Sequence, residues 1–219
     1  MIILIVFSAA AYLIGSIPFG VLIARAHGID LRTVGSGNIG ATNVSRALGR
    51  KWAYVCFVLD VLKGLTPMLL ARVAVGFLQQ PNTLALGLWL LVGCAAVVGH
   101  IFPIYLKFKG GKGVATSLGV VLGLWPYFTL SGIAAFGIWC VCVLIWRYVS
   151  LASVIAAISF PIVFGVLMVV FENWQLARLW LLLVLAVLMA LLVVARHAEN
   201  IKRLLEGSEH KISTTTPTR

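Results

Sequence analysis

Residues 179–195 read LWLLLVLAVLMALLVVA, an apolar run bounded by Arg178 and Arg196 with no charge inside it. As a helix it nearly matches the thickness of a bilayer's hydrocarbon core, so it reads as a membrane span. Further charge-free runs lie at Met1–Ala24, Val73–Leu106, Gly113–Trp146 and Tyr148–Phe171. A spanning helix takes about 17–25 residues, so Val73–Leu106 and Gly113–Trp146 are each too long for one straight crossing. Each contains a natural break. Gln79-Gln80-Pro81-Asn82 ends a span that starts near Lys51, and Trp125-Pro126-Tyr127 splits the later run. Composition agrees, because 62% hydrophobic residues and a mean hydropathy of +1.08 exceed what a soluble core of 219 residues needs. The expected fold is an all-α integral membrane protein with seven transmembrane helices, at about 2–24, 52–77, 83–105, 113–128, 130–146, 149–171 and 177–196.

An odd number of spans puts the termini on opposite sides. With the amino terminus outside, the inner loops hold Arg25, Arg32, Arg46, Arg50, Lys51, Lys107, Lys109, Lys112, Arg147 and the basic tail, while Arg72 and Arg178 lie near the outer face. The positive-inside rule selects that orientation and a cytoplasmic carboxyl terminus. The first segment lacks a basic residue before its apolar run, so it reads as a retained span and not as a cleaved signal peptide. The net charge of +11 would suggest nucleic acid in a soluble protein. Beside membrane ends it points instead to anionic lipid headgroups and phosphorylated substrates. Cys56, Cys94, Cys140 and Cys142 all fall inside expected spans without metal-ligand spacing and read as small packing residues. One domain is expected over 1–209, followed by a short polar, mobile tail at 210–219.

Three polar stretches interrupt the apolar chain. Gly35–Arg46, GSGNIGATNVSR, packs glycines, hydroxyls and two asparagines beside Arg46. Glycines allow backbone N–H groups to converge on an anion, and Ser36, Asn38, Thr42 and Asn43 add side-chain donors; the plain alternative is a flexible loop. The second stretch runs from Gly99-His100-Ile101-Phe102-Pro103 to Lys107-Phe108-Lys109-Gly110-Gly111-Lys112-Gly113-Val114-Ala115-Thr116 and opens into an apolar helix. A glycine loop at a helix amino terminus favours phosphate, and Lys112 between Gly111 and Gly113 looks placed for a ligand. Lys107 and Lys109 either strengthen that field or only mark the cytoplasmic face. The spacing is not that of a nucleotide-binding P-loop, so ATP is not implied. In the third stretch, His197–Glu209, a continuing helix sets His197 and Asn200 on one face with Arg203 or its neighbour. That face suits phosphate and hydroxyl recognition; a solvated helix that binds lipid headgroups is the alternative. Glu209 reads as a structural tie to a basic residue. Asp60 and Lys63, at helical spacing inside the second span, either pair or face a polar groove. His100 either binds substrate or is satisfied by backbone.

Taken in order, G-S-G-N-x-G-A-T-N…R, G-H-x-F-P…F-K-G-G-K-G-V-A-T and H-x-x-N-I-x-R-L…G-x-E closely resemble the three signature motifs of the bacterial membrane-integral glycerol-3-phosphate acyltransferases that use acyl phosphate, the PlsY family. The resemblance extends to about Glu209, with Ile39 where proline is expected to be common. It implies seven spans in the bacterial inner membrane, motifs facing the cytoplasm, and an early step of phospholipid synthesis. In that step a fatty acyl group passes from acyl phosphate to the 1-position of sn-glycerol 3-phosphate, giving lysophosphatidate and inorganic phosphate. It also implies a functional link to the enzyme that makes acyl phosphate. Carried over motif by motif, it marks Ser36, Arg46, Lys112, His197 and Asn200 as catalytic and Asn38, Asn43, Gly110, Gly111, Gly113 and Arg203 as substrate-binding. Glu209, Asp60 and Lys63 are expected to give structural support. No metal or organic cofactor and no nucleic acid is indicated. The rival class is an organophosphate or phosphate transporter. Transporters place charged sites near the midplane and show internal repeats, whereas these charges gather at one face.

Overall fold

The computed structural model describes residues 2–75 and 82–211, and the described residues form helices and connecting turns with no strand. The helices are α1 Ile2–Gly15, α2 Phe19–Ala26, α3 Ala41–Leu48, α4 Arg50–Val75, α5 Thr83–Ile101, α6 Val114–Gly123, α7 Tyr127–Trp146, α8 Val149–Val170, α9 Leu176–Arg196 and α10 Ala198–Leu205. Among the described residues, six stretches are long and apolar enough to cross a membrane: Ile3–Ala26, Arg50–Val73, Thr83–Leu106, Tyr127–Trp146, Val149–Val170 and Leu176–Arg196. The chain is thus an integral membrane protein. Helix α6 departs from the expected span over 113–128. Its 10 residues rise about 15 Å, roughly half of a hydrocarbon core, because the turn at Leu124-Trp125-Pro126 stops it early. The break expected at Gln79-Gln80-Pro81 lies outside the described residues, as does most of the tail, 212–219. Asn82 is described and caps α5, its Oδ1 accepting the Ala85 N–H at 2.8 Å.

The described residues fall into two compact units, 2–75 with 88–123 and 82–87 with 124–211. In the first unit α4 is the central element, packed against α1, α2, α3 and α6. Lipid tails are as apolar as leucine, so helices in a bilayer gain by close packing rather than by escaping water. The sequence supplies glycine at the closest approaches. A Cβ on Gly64 would meet the Thr116 carbonyl, one on Gly119 the Val61 carbonyl, and one on Gly15 the Ala96 carbonyl. The first apolar segment breaks at Pro18 into α1 and α2, since proline lacks the N–H that a continuous helix needs. In the second unit α8 packs against α7, α9 and α10. Phe128 meets Phe160 and Phe164 edge-on at 5.0 and 5.2 Å, and Trp174 lies 5.1 Å from Tyr127. Arg147, left-handed at φ 61°, closes α7 and starts the short turn into α8.

The glycine contacts predict opposite outcomes for one substitution. Gly119→Ala forces a Cβ onto the Val61 backbone and is expected to cost roughly 1–3 kcal/mol. Gly137→Ala has nothing within 4 Å of the new Cβ and is expected to be neutral or stabilising by up to about 1 kcal/mol. Unfolding of both variants in mixed micelles measures the difference.

Candidate active site

In the first unit, the first polar stretch divides into a loop and a helix. Residues 33–40 form the loop, and α3 begins at Ala41 after Gly40, so half of the expected loop is helical. Asn43 is 1% exposed and organises the loop from inside. Its Nδ2 donates to the carbonyls of Leu31 and Val34, each at 3.0 Å, and its Oδ1 accepts the Ser36 N–H at 3.0 Å. Those bonds direct the amide toward backbone, so Asn43 shapes the loop. Asn38 Oδ1 accepts the Gly40 N–H at 3.0 Å, a local turn that leads into α3. Ser36 and Arg46 are exposed; a Cβ on Gly35 would lie 3.4 Å from Arg46 Cδ, so the arginine stem runs alongside the loop.

The second stretch folds back onto the end of α5. After a 3₁₀ turn at Ile104–Leu106, Lys107 and Phe108 adopt left-handed backbone at φ 52° and 62°, which reverses the chain. The Gly110 N–H then donates to the Ile101 carbonyl at 3.2 Å and the Gly111 N–H to the His100 carbonyl at 3.1 Å. Both glycines therefore fasten the loop to α5, satisfying carbonyls that a helix end leaves open. Half-buried Lys112 and buried Gly113 follow, and α6 then starts at Val114, a helix amino terminus of the kind that favours an anion. Gly113, at φ 83°, makes the turn into α6 and its carbonyl accepts the Ser117 N–H at 2.7 Å. Thr116 is buried there with its hydroxyl lacking a protein partner among the described residues. The two stretches meet through an apolar contact, Ile39 of the first packing with Leu106 of the second and with Val21 of α2. Ile39 is only 4% exposed, so a side chain of this size is a packing element at that position.

Asp60 and Lys63 form a buried ion pair at 2.8 Å, and Lys63 Nζ also donates to the Ile17 carbonyl at 2.8 Å. They are thus paired, and the ammonium serves a backbone acceptor at the Pro18 break.

The second unit builds its polar cluster on the end of α9 and on α10. His197 is 2% exposed, and its Nδ1 lies 2.8 Å from the Val193 carbonyl. A carbonyl only accepts, so Nδ1 carries the proton and the lone pair of the neutral ring sits on Nε2. Gly207, at φ 69°, ends α10 with paired bonds, Gly207 N–H to the Leu204 carbonyl at 3.3 Å and Ser208 N–H to the Arg203 carbonyl at 2.8 Å. This reversal returns Glu209 over the helix. Its Oε1 accepts from Asn200 Nδ2 at 2.7 Å and from Ser150 Oγ at 2.8 Å, and its Oε2 accepts from Arg203 Nε at 2.8 Å. Burial pushes the Glu209 carboxyl up, but the hydrogen bonds from Asn200, Ser150 and Arg203 together with the Arg203 charge outweigh it. The group lies below the ordinary glutamate range. Glu209 thus fixes Asn200 and Arg203 in place. Ser150, a residue of α8 far away in sequence, completes the clamp; no local motif marked it.

Comparison with known proteins identifies the family. The family described as glycerol-3-phosphate acyltransferase matches residues 5–207. A curated glycerol-3-phosphate acyltransferase of Geotalea daltonii is 46% identical over 94% of this chain and 96% of its own. One from Aquifex aeolicus is 44% identical over 92% and 95%. Among solved structures, the crystal structure of PlsY, an integral membrane glycerol 3-phosphate acyltransferase in its glycerol 3-phosphate form, is 41% identical over 96% of both chains, with a TM-score of 0.82. Its lysophosphatidic acid form is 40% identical over the same shares, with a TM-score of 0.79. With the family match over residues 5–207 and relatives more than 40% identical along nearly the whole chain, the chain belongs to the PlsY family of membrane glycerol-3-phosphate acyltransferases.

Proposed function

We infer that this protein transfers a fatty acyl group from acyl phosphate to the 1-position of sn-glycerol 3-phosphate, forming lysophosphatidate and releasing inorganic phosphate as an early step of phospholipid synthesis. The observation that carries the reading is the similarity along nearly the full length of both chains to an enzyme crystallised in glycerol 3-phosphate and lysophosphatidic acid forms. In the reaction the glycerol hydroxyl oxygen bonds the acyl carbon, the anhydride C–O bond breaks, and the hydroxyl proton leaves with a base. The chain crosses the bacterial inner membrane seven times in this reading, with α6 as a short crossing, the amino terminus outside and the polar stretches facing the cytoplasm. Residues 1–209 act as one acyltransferase domain.

Both substrates carry phosphate, and bringing them together costs like-charge repulsion that grows at the low-dielectric membrane surface. Cations must offset it. Lys112 and the start of α6 hold the phosphate of glycerol 3-phosphate; Gly110 and Gly111 hold that segment in place and Gly113 turns it into the helix. Arg46 and Ser36, on the loop shaped by Asn43 and Asn38, hold the phosphate of the acyl donor, and Arg203 adds charge-assisted donors. Acyl phosphate is already activated and its leaving group departs without a proton, so no strong general acid is required. The hydroxyl proton goes to His197 Nε2 or to a substrate phosphate oxygen, whose second ionisation lies near pH 6. Asn200, held by Glu209, orients the hydroxyl. Transfer is direct: Ser36 serves as a hydrogen-bond donor, and no base adjoins it on its loop.

Lipid-reconstituted protein supplied with palmitoyl phosphate and glycerol 3-phosphate is expected to release phosphate and form lysophosphatidate together. Lys112→Ala and His197→Ala are each expected to lose on the order of 10²-fold or more in turnover; absence of both products from folded wild type overturns the reading. Labelled acyl phosphate supplied alone is expected to leave no acyl group on Ser36, checked by mass spectrometry. The clamp predicts an acid limb of stability. A lowered native pKa means that the Glu209 contribution is complete above the ordinary glutamate range and is lost as pH falls through the native value. Glu209→Gln is expected to lower stability near neutral pH by roughly 1.5–3 kcal/mol and to flatten that limb, as measured by unfolding across pH.

A further inference from the structure

The buried charges beneath the second glycine loop have no part in the transfer scheme above. Asp60, Lys63 and His100 are 3%, 3% and 4% exposed. Ionisable groups inside membrane helices are costly, and an apolar pair would fill the same volume, so their retention calls for a specific use. Lys63 Nζ bridges Asp60 Oδ1 and the Ile17 carbonyl, at 2.8 Å from each. Asp60 Oδ1 lies 3.8 Å from His100 Nδ1. The far edge of the imidazole, at Nε2, occupies the space that a Cβ on Gly111 would need. The contacts therefore run from the α1–α2 break through α4 and the end of α5 to Gly111, one residue before Lys112.

We propose that Asp60, Lys63 and His100 are positioning residues for acyl transfer: the ion pair holds the imidazole against Gly111, and the imidazole sets the placement of Lys112 and the start of α6. None of the three touches substrate. The proposal rests on the reading of this loop as the glycerol 3-phosphate site. It also explains why position 111 holds glycine although no left-handed backbone is recorded there: the ring takes the side-chain volume.

The test uses the full chain in phosphatidylglycerol-containing nanodiscs. Four variants are compared: His100→Ala, Gly111→Ala, the two combined, and Asp60→Asn with Lys63→Met, which removes both charges so that neither is left unpaired. Steady-state kinetics with palmitoyl phosphate and glycerol 3-phosphate, and equilibrium binding of radiolabelled glycerol 3-phosphate, are measured for each. His100→Ala, Gly111→Ala and the charge-free pair are each expected to raise the KM and the Kd for glycerol 3-phosphate about tenfold. The KM for palmitoyl phosphate stays within about twofold, a split that general destabilisation does not produce. The combined His100→Ala, Gly111→Ala variant is expected to be no worse than the poorer single variant, because removing the ring clears room for the new Cβ. An unchanged Kd for glycerol 3-phosphate in any folded variant other than the combined one, equal rises in both KM values, or fully multiplicative losses overturn the proposal. If His100→Ala does not fold, Gly111→Ala and the charge-free pair decide by the same criteria. Absence of turnover by wild type that still binds glycerol 3-phosphate overturns the acyl-transfer reading, and the binding series still judges the positioning role.

Discussion

Hydrocarbon offers a peptide group no hydrogen-bonding partner, so wherever this chain leaves a helix at membrane depth its peptide groups must be satisfied from within the protein. That constraint explains why so few polar side chains do so much. Lys63 meets the Ile17 carbonyl where Pro18 ends the first helix. Asn43 meets two carbonyls and one N–H of the loop before α3. Gly110 and Gly111 meet the carbonyls at the end of α5. The irregular segments that result are held on several sides, which suits the anion-binding role proposed for them.

The same constraint divides the motif residues into those spent on shaping the loops and those exposed on them. Asn43, Gly110, Gly111 and Glu209 belong to signature motifs, yet their polar atoms bond to the protein itself. Ser36 and Arg46 stay exposed on the surface that Asn43 organises. Glu209 shows the division at its clearest. A buried carboxylate would be a liability, but three donors converge on it, and in return it fixes the amide of Asn200 and the guanidinium of Arg203.

Much of the fold was legible in the sequence because a bilayer selects on length and charge alone. The charge-free runs located α5, α8 and α9 to within a few residues, and Pro126 marked the break before α7. The span expected over 113–128 ran past the turn that its own sequence marks, since α6 ends at Gly123, ahead of Leu124-Trp125-Pro126. Helix α3 was masked by the glycines and hydroxyls that precede it and by its own polar composition. The motif residues could be named because each motif is a local pattern. Their individual duties could not, because a hydrogen-bond partner such as Ser150 for Glu209 lies 59 residues away.

By itself, then, the sequence determined that this is a helical membrane protein with three polar stretches of the PlsY type. Hydropathy, glycine content and basic charge are properties of short segments and survive without tertiary context. Only the tertiary structure decided which donors are spent on backbone, that Ile39 and Leu106 join the first two stretches, and that Asp60, Lys63 and His100 lie beneath the second. Those facts depend on which distant segments meet. In a membrane, packing of small residues and satisfaction of buried polar groups choose those meetings, and neither leaves a mark in the local pattern.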